Sequence, residues 1–124
     1  MLGKSDPTAT VAVKDMKAAK SFYQGKLGLE LVHSEGGGAD EYKAGASKIL
    51  VYQSQYAGTN QATAVTWVVD DIDAVVRSLK GKGVAFEHYD MPDVKRTGDI
   101  HVGGGRKLAW FKDPDGNIHA LFAR

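Results

Sequence analysis

Short stretches of alternating or β-branched residues give way to helically spaced apolar residues along this chain, in an order that occurs twice. Residues 8–13 form a short run of threonine, alanine and valine, which predicts a strand. From Met16 to Lys26 the apolar residues recur at helical spacing, so this segment predicts a helix. Asp15 stands where an N-cap is expected, and Gly28 follows as a stop signal.

Three further short segments with strand character follow this first predicted helix. They predict strands at 29–32, 41–44 and 48–52, with a flexible glycine-rich turn at 34–40. The first half of the chain therefore reads β-α-β-β-β. Residues 53–63 are polar and lack periodicity, and we interpret them as a linker.

The second half repeats the order. A strand is predicted at 64–69, and Asp71 caps a helix that ends near Gly83. This helix carries apolar residues at the i, i+3, i+4, i+7 spacing of one face. The remaining predictions are strands at 84–88, 107–112 and 118–122, a tight hairpin at 113–117, and a long loop at 89–105 with a short strand at 100–102.

Corresponding residues of the two halves are separated by nearly the same number of positions. Asp15 and Asp71 lie 56 residues apart, whereas His33 and His88 lie 55 apart. Each half has only about 60 residues and would be marginally stable alone, so two similar modules are expected to bury their apolar faces together. We expect one domain over 1–124, with module one at 8–53, a linker at 54–63 and module two at 64–124.

The composition narrows the functional classes. The net charge of +1 gives no electrostatic reason to expect nucleic acid or an anionic membrane as a partner. Cysteine is absent, which excludes disulfides, thiolate metal ligands and a cysteine nucleophile. No stretch approaches membrane-spanning length and no apolar signal region precedes residue 8, so a cytoplasmic protein is expected.

Two tandem βαβββ modules with these motifs resemble the vicinal oxygen chelate superfamily, which contains glyoxalase I, extradiol dioxygenases and the fosfomycin- and bleomycin-resistance proteins. The resemblance covers roughly residues 8–122. It rests on Val13-Lys-Asp15, Leu27-Gly-Leu29, Val69-Asp-Asp71, Gly81-Lys-Gly-Val84 and Trp110-Phe-Lys-Asp-Pro-Asp-Gly-Asn117. It implies an α+β fold in which curved mixed sheets enclose a cavity, with helices on the outer face. Metal-dependent members hold a divalent ion in that cavity.

The resemblance also implies four metal-ligand positions. Two lie seven residues before the capping aspartates, one lies three after Asn117, and one lies near the end of module one. In this sequence they are Thr8, Leu50, Ala64 and Ala120, with Tyr52 in place of Leu50 if the register is shifted. None is a normal ligand for a divalent ion, which prefers imidazole or carboxylate. We therefore expect no metal and no cofactor; Zn, Ni, Fe or Mn at a relocated site is the alternative.

Strand alternation predicts which side chains line the cavity. Thr10 and Ala12 should point inward from the first strand, and Thr66 and Val68 from the matching strand, whereas His119 should face the helices. Ile118 and Phe122 are further expected wall residues. The expected ligand-binding residues are Thr8, Thr10, Leu50, Tyr52, Ala64, Thr66, Trp110 and Ala120.

A catalytic site is not identified by any motif, but three side chains are candidates for acid–base chemistry: His101, His88 and Tyr52. His33 and His88 end corresponding strands and form either a pair at the cavity mouth or two unrelated surface residues.

Three functions remain open. The first is a metal-independent protein that binds a small apolar or aromatic molecule, as bleomycin-binding relatives do. The second is a lyase, isomerase or dioxygenase with a non-standard site. The third is a protein whose fold serves assembly. The resemblance also implies a homodimer.

Overall fold

The computed structural model describes residues 2–124 and shows the β-α-β-β-β order in the first half and the same order with two additional short strands in the second half. Each module contributes one mixed sheet and one α-helix, and neither sheet closes into a barrel. After a 3₁₀ turn at Leu2–Lys4, the first module contains β1 (Ala9–Val13), α1 (Met16–Lys20), a π-helical segment (Ser21–Lys26), β2 (Glu30–Glu35), β3 (Ala39–Ala44) and β4 (Ser47–Gln53). The second contains β5 (Thr63–Val68), α2 (Ile72–Gly81), β6 (Phe86–Glu87), β7 (Lys95–Thr97), β8 (Ile100–Gly103), β9 (Arg106–Lys112) and β10 (Ile118–Ala123).

Both sheets place their first strand beside their last. In module one the order is β1-β4-β3-β2, and β1 runs parallel to β4. In module two the order is β5-β10-β9-β8-β7, with β5 parallel to β10. β6 pairs with the same edge of β9 as β8 does, but at the other end of β9. The matching topologies confirm the α+β fold of tandem βαβββ modules that the repeat predicted.

Aspartates begin both helices, as predicted. The Asp15 carboxylate accepts hydrogen bonds from the backbone N–H groups of Lys17 and Ala18 at 3.0 and 3.1 Å. The Asp71 carboxylate accepts one from Ala74 at 3.1 Å. These bonds satisfy N–H groups that lack partners within a helix, so the caps fix where each helix starts.

The first helix differs from its prediction as one α-helix over 16–26. It is α-helical only to Lys20, and Ser21–Lys26 forms a π-helical segment. Within that segment the adjacent side chains of Phe22 and Tyr23 are both buried. π-Helical turns are rare and have no signature in apolar spacing, which is why the pattern did not show this one.

The region at 89–105, predicted as a long loop with one short strand, contains a two-stranded hairpin. The strand expected at 100–102 is present as β8, but β7 was not expected, and the strand expected at 84–88 is only β6. β7 carries the three exposed polar residues Lys95, Arg96 and Thr97 and therefore no apolar alternation. The loop prediction is therefore wrong at β7 and at the last residue of β8, and correct for the rest of 89–105.

A continuous apolar cluster joins the two modules. It combines side chains of α1 and the π-helical segment with side chains of α2, and both sheets contribute to it. β1 and β5 lie next to each other at the junction of the sheets. Within residues 2–124 no helix is long and apolar enough to cross a membrane.

Candidate functional site

Each sheet has one face covered by helices and one face turned away from them, here called the open face. In β1, Val11 and Val13 are buried on the helix side and Thr10 is exposed on the open face. In β5, Val65 is buried, whereas Val68 is 73% exposed. Because side chains alternate along a strand, this burial pattern confirms the sidedness predicted for both first strands.

Cross-strand register places the remaining open-face residues. In module one, Thr10 pairs with Leu50 and Ala12 pairs with Tyr52. In module two, Ala120 pairs with Thr66 on one side and with Trp110 on the other. Directly paired residues share a face, so the residues in these pairs lie on the open face of their sheet.

The four positions implied by the resemblance do not suit a metal ion. Thr8 and Ala64 are exposed, Leu50 is half-buried and Ala120 is buried at 3% exposure. Leucine and alanine carry no donor atom, and a single threonine hydroxyl cannot hold a divalent ion by itself. Among residues 2–124, no three His, Asp or Glu side chains converge in a metal-binding arrangement. The donor set at these positions therefore does not fit the ion.

A pocket of about 190 Å³ opens between β1 and β5 on this face, here called the junction pocket. It brings together three of the predicted ligand-binding residues, Thr10, Tyr52 and Ala64, with the neighbouring Ala12. Tyr52 is 39% exposed at the pocket. The other lining residues are Val11, Tyr56, Ala57, Gly58, Thr59, Asn60 and Asn117.

The remaining predicted residues lie elsewhere on the open face. Thr66 borders a second cleft of about 210 Å³ at the other end of β1, together with Lys48 and Val68. Neither cleft includes Thr8, Leu50, Trp110 or Ala120. The junction pocket lies where the end of β1 meets the start of β5, and the second cleft lies where the start of β1 meets the end of β5. The two strands therefore run antiparallel to each other.

Sequence reasoning missed the contribution of the segment that links the modules. Tyr56, Thr59 and Asn60 line the junction pocket although residues 53–63 lack any periodicity. Local hydrogen bonds fold this segment into turns: Thr59 Oγ1 donates to the Tyr56 carbonyl at 2.9 Å, and Ala62 N–H donates to Asn60 Oδ1 at 3.0 Å. Tyr56 is 71% exposed, and a large exposed aromatic residue in a polar stretch was the one available signal.

A close backbone approach holds the linking segment against the C-terminal hairpin. Gly58 has φ +78°, and a Cβ atom there would lie 2.5 Å from the Asp115 carbonyl oxygen. Only glycine accepts both this conformation and this contact without strain. The preceding residue, Ala57, is buried. The junction pocket is therefore bounded by a segment whose position depends on module two.

The hairpin at 113–117 ties module two to module one. Asp113 Oδ1 accepts hydrogen bonds from the backbone N–H groups of Asp115 and Asn117 at 2.9 and 2.8 Å. The Asn117 side-chain amide donates to Asp113 Oδ2 at 2.8 Å and to the Ala12 carbonyl at 2.7 Å. Tyr23 Oη also donates to Asp113 Oδ2, at 2.7 Å. The motif thus has a structural role at the junction.

His119 lies on the helix side, as predicted, and is completely buried. Its Nδ1 accepts a hydrogen bond from Trp67 Nε1 at 3.0 Å, and its Nε2 lies 3.0 Å from Tyr23 Oη. Because the Tyr23 proton goes to Asp113, Nε2 must carry the proton that joins the two side chains. The neutral Nε2–H tautomer satisfies all these groups, and the ring stacks on Phe111 at 4.9 Å.

The environment of His119 opposes protonation. Burial lowers its pKa from 6.5 to about 4, and the Asp113 carboxylate offsets only part of this effect. A proton on Nδ1 would also face the Trp67 N–H group and replace an attractive contact by a repulsive one. Burial raises the pKa of Tyr23, and the neighbouring Asp113 raises it further. The hydrogen-bonded side chains of Trp67, His119, Tyr23 and Asp113 are here called the relay. The relay therefore stays in one protonation state near neutral pH.

The candidate catalytic histidines form hydrogen bonds within the protein. His101 is 1% exposed; its Nε2 accepts a hydrogen bond from the Tyr89 N–H group at 3.0 Å, and its Nδ1 donates to the Leu108 carbonyl at 3.3 Å. Neither nitrogen is available to a substrate in this arrangement. Of the three candidates, only Tyr52 borders the junction pocket.

His88 belongs to a surface cluster in module two. Its Nε2 lies 2.7 Å from Asp99 Oδ1, and Lys80 Nζ lies 2.7 Å from Asp99 Oδ2. The hydrogen bonds from Lys80 and His88 hold the pKa of Asp99 below its usual value. His33 pairs with Glu35 on β2 of the other module. The two strand-end histidines therefore have separate local partners and do not contact each other.

The sequence matches the model of one protein family over nearly its whole length. This model, described as the glyoxalase/bleomycin resistance protein/dioxygenase superfamily, matches residues 6–121. The chain belongs to this superfamily. Among curated proteins, none matches the sequence significantly.

Solved structures of superfamily members share the fold at low sequence identity. A glyoxalase family protein from Enterococcus faecalis superposes with a TM-score of 0.74 at 20% identity, covering 98% of this chain and 99% of the other. A lactoylglutathione lyase from Agrobacterium tumefaciens gives 0.71 at 19% identity, with 96% and 93% coverage. The fosfomycin resistance protein FosX from Mesorhizobium loti gives 0.69 at 12% identity, with 98% and 92% coverage. These likenesses establish the fold alone.

Proposed function

We propose that this superfamily member binds a small aromatic or apolar molecule at the junction pocket without a metal ion. The observation that supports the proposal is a contrast on the open face. The positions that the resemblance implies for metal ligands carry Thr8, Leu50, Ala64 and Ala120. One of them, Ala64, instead lines a pocket that contains two tyrosines. Binding would then depend on shape, aromatic contact and hydrogen bonds.

The size and lining of the pocket suit a single substituted ring. Its volume of about 190 Å³ exceeds the roughly 150 Å³ of an engineered cavity that binds benzene. Tyr52 and Tyr56 offer aromatic faces for stacking. Thr10, Thr59 and Asn60 supply hydroxyl and amide groups for polar substituents. A planar aromatic ligand with one or two polar groups would satisfy both kinds of lining.

A metal-dependent or acid–base enzyme is the alternative, but it has less support. His101 uses both ring nitrogens within the protein, and the His88 ring is paired with Asp99. The proposal also includes a homodimer in the cytoplasm. The homodimer rests on the resemblance, because open half-barrels in this superfamily commonly complete their sites or cores across subunits.

Metal analysis combined with a thermal-shift screen tests the proposal. The screen would include divalent metals, glutathione hemithioacetals, catechols and bleomycin-like compounds. We expect stabilisation by a planar aromatic compound with no added metal, and weaker stabilisation of Tyr52→Ala and Tyr56→Ala. Gln61→Ala is the matched control, because Gln61 is exposed in the same segment but does not line the pocket.

Two results would overturn the proposal. One is stoichiometric Zn, Ni, Fe or Mn held by side chains of the purified protein. The other is metal-dependent turnover of a hemithioacetal or catechol. Light scattering over a range of protein concentrations tests the dimer, and a monomer at all concentrations would refute that part.

A further inference from the structure

An apolar crevice lies on the side of the molecule opposite the open face, between α2 and its sheet. Its volume is about 120 Å³, and every residue that lines it is apolar. Five of them are only half-buried: Leu27, Leu29, Trp67, Val69 and Val75. The complete lining is Leu27, Leu29, Trp67, Val69, Val75, Leu79, Phe111 and Leu121.

The crevice continues into a groove along the surface of α2. This groove has a volume of about 290 Å³ and shares Leu27, Val75 and Leu79 with the crevice. Its other lining residues are Lys26, Ala74, Ser78 and Lys82. Residues 74, 78 and 82 are spaced four apart and therefore form one row along the helix, beside the row of 75 and 79. The groove thus leads from an apolar interior to a charged end.

The charged end carries two ammonium groups and no carboxylate. Lys26 Nζ would lie 3.8 Å from a Cβ atom placed on Gly83, so its ammonium group sits beside the end of α2, next to Lys82. The negative end of a helix dipole favours cations at this location. Neither Lys26 nor Lys82 forms an ion pair with any residue in 2–124. Ser78 adds a hydroxyl donor in the same groove.

We propose that this crevice and groove form a second binding site, for a small amphipathic anion such as a medium-chain carboxylate. The apolar body would occupy the crevice against Trp67 and Leu121, and the anionic group would meet Lys26 and Lys82. Charge complementarity supports this occupant, because an uncharged ligand would leave both ammonium groups unused. This site is independent of the junction pocket, since the sheet separates the two.

The two tryptophans of the chain report on the two sides of the sheet. Trp67 lines the crevice, whereas Trp110 shares the open face with its cross-strand partner Ala120. Titration of the ¹⁵N-labelled full chain with octanoate, followed by NMR, should therefore shift the Trp67 indole signal and leave the Trp110 indole signal in place. Octan-1-ol should bind at least about tenfold more weakly than octanoate, because it lacks the charge.

Two variants and a matched control locate the site. Lys26→Gln/Lys82→Gln should weaken octanoate binding by about tenfold or more. Lys17→Gln/Lys20→Gln removes two exposed charges from α1 and should leave the affinity unchanged. Val75→Trp should fill the crevice and abolish the Trp67 shift.

Several results would overturn the proposal. One is the absence of a Trp67 shift up to millimolar octanoate, including in the case where a second copy covers the crevice. Another is a shift confined to Trp110. The third is equal loss of affinity in the two double variants. None of these bears on aromatic binding at the junction pocket, which the tyrosine variants test separately.

Discussion

The buried histidine of the relay predicts how stability responds to acid. His119 has a pKa of about 4 in the folded protein and 6.5 when exposed. Between these values the unfolded chain binds a proton that the folded chain rejects, so stability is fully present above pH 6.5 and falls as the pH drops towards 4. At about 1.4 kcal/mol per pH unit, wild-type protein should lose about 3 kcal/mol between pH 7 and pH 4 through this residue.

His119→Gln isolates the effect. A glutamine amide retains one donor and one acceptor, so it can bond Tyr23 and Trp67, but it does not titrate. Urea unfolding monitored by tryptophan fluorescence at pH 7, 6, 5 and 4 gives the free energy of unfolding for both proteins. The difference between wild type and variant should change by about 3 kcal/mol over this range, with about 2 kcal/mol already lost at pH 5.

A second histidine supplies a control of opposite sign. Glu35 raises the pKa of the exposed His33 by hydrogen bonding and charge. A raised pKa contributes stability at low pH that is lost as the pH rises, so His33→Gln should not reduce the acid sensitivity of the wild type. If wild type and His119→Gln lose stability in parallel from pH 7 to pH 4, the assignment of His119 as a buried neutral histidine is wrong.

Two further substitutions probe the junction between the modules. Tyr23→Phe should lower the free energy of unfolding by about 1–3 kcal/mol, because the N–H group of His119 loses its buried acceptor; urea unfolding at pH 7 measures this. Gly58→Ala should destabilise by well over about 1 kcal/mol, since its Cβ would meet the Asp115 carbonyl, and should weaken ligand binding at the junction pocket. Gly36→Ala is the matched control, because Gly36 also has positive φ but faces open space; equal losses in the two alanine variants would remove the role assigned to the contact.

The strand faces could be predicted from the sequence because one face of each sheet is buried. Alternation in β1 places Val11 and Thr10 on opposite faces, and alternation in β10 does the same for His119 and Ala120. The odd or even position of a residue along its strand therefore predicts which face it lies on. The helix caps Asp15 and Asp71 could also be predicted from the sequence, because capping is a local interaction between a side chain and the next turn.

Features that depend on contacts between distant residues could not be predicted in this way. Tyr23 and Trp67 reach His119 from sequence separations of 96 and 52 residues, and no local pattern records such a meeting. The same holds for the wall of the junction pocket. Its residues Tyr56 and Asn60 belong to a segment without periodicity, placed by the approach of Gly58 to the hairpin.

The central claim is that an aromatic molecule binds at the junction pocket without a metal ion. Calorimetric titration of chelator-treated protein with a catechol, before and after readdition of Zn, Ni, Fe or Mn, tests it directly. We expect the same affinity in both conditions, and a loss of affinity in Tyr52→Ala and Tyr56→Ala but not in Gln61→Ala. Binding that occurs only with metal, or that ignores both tyrosines, would contradict it.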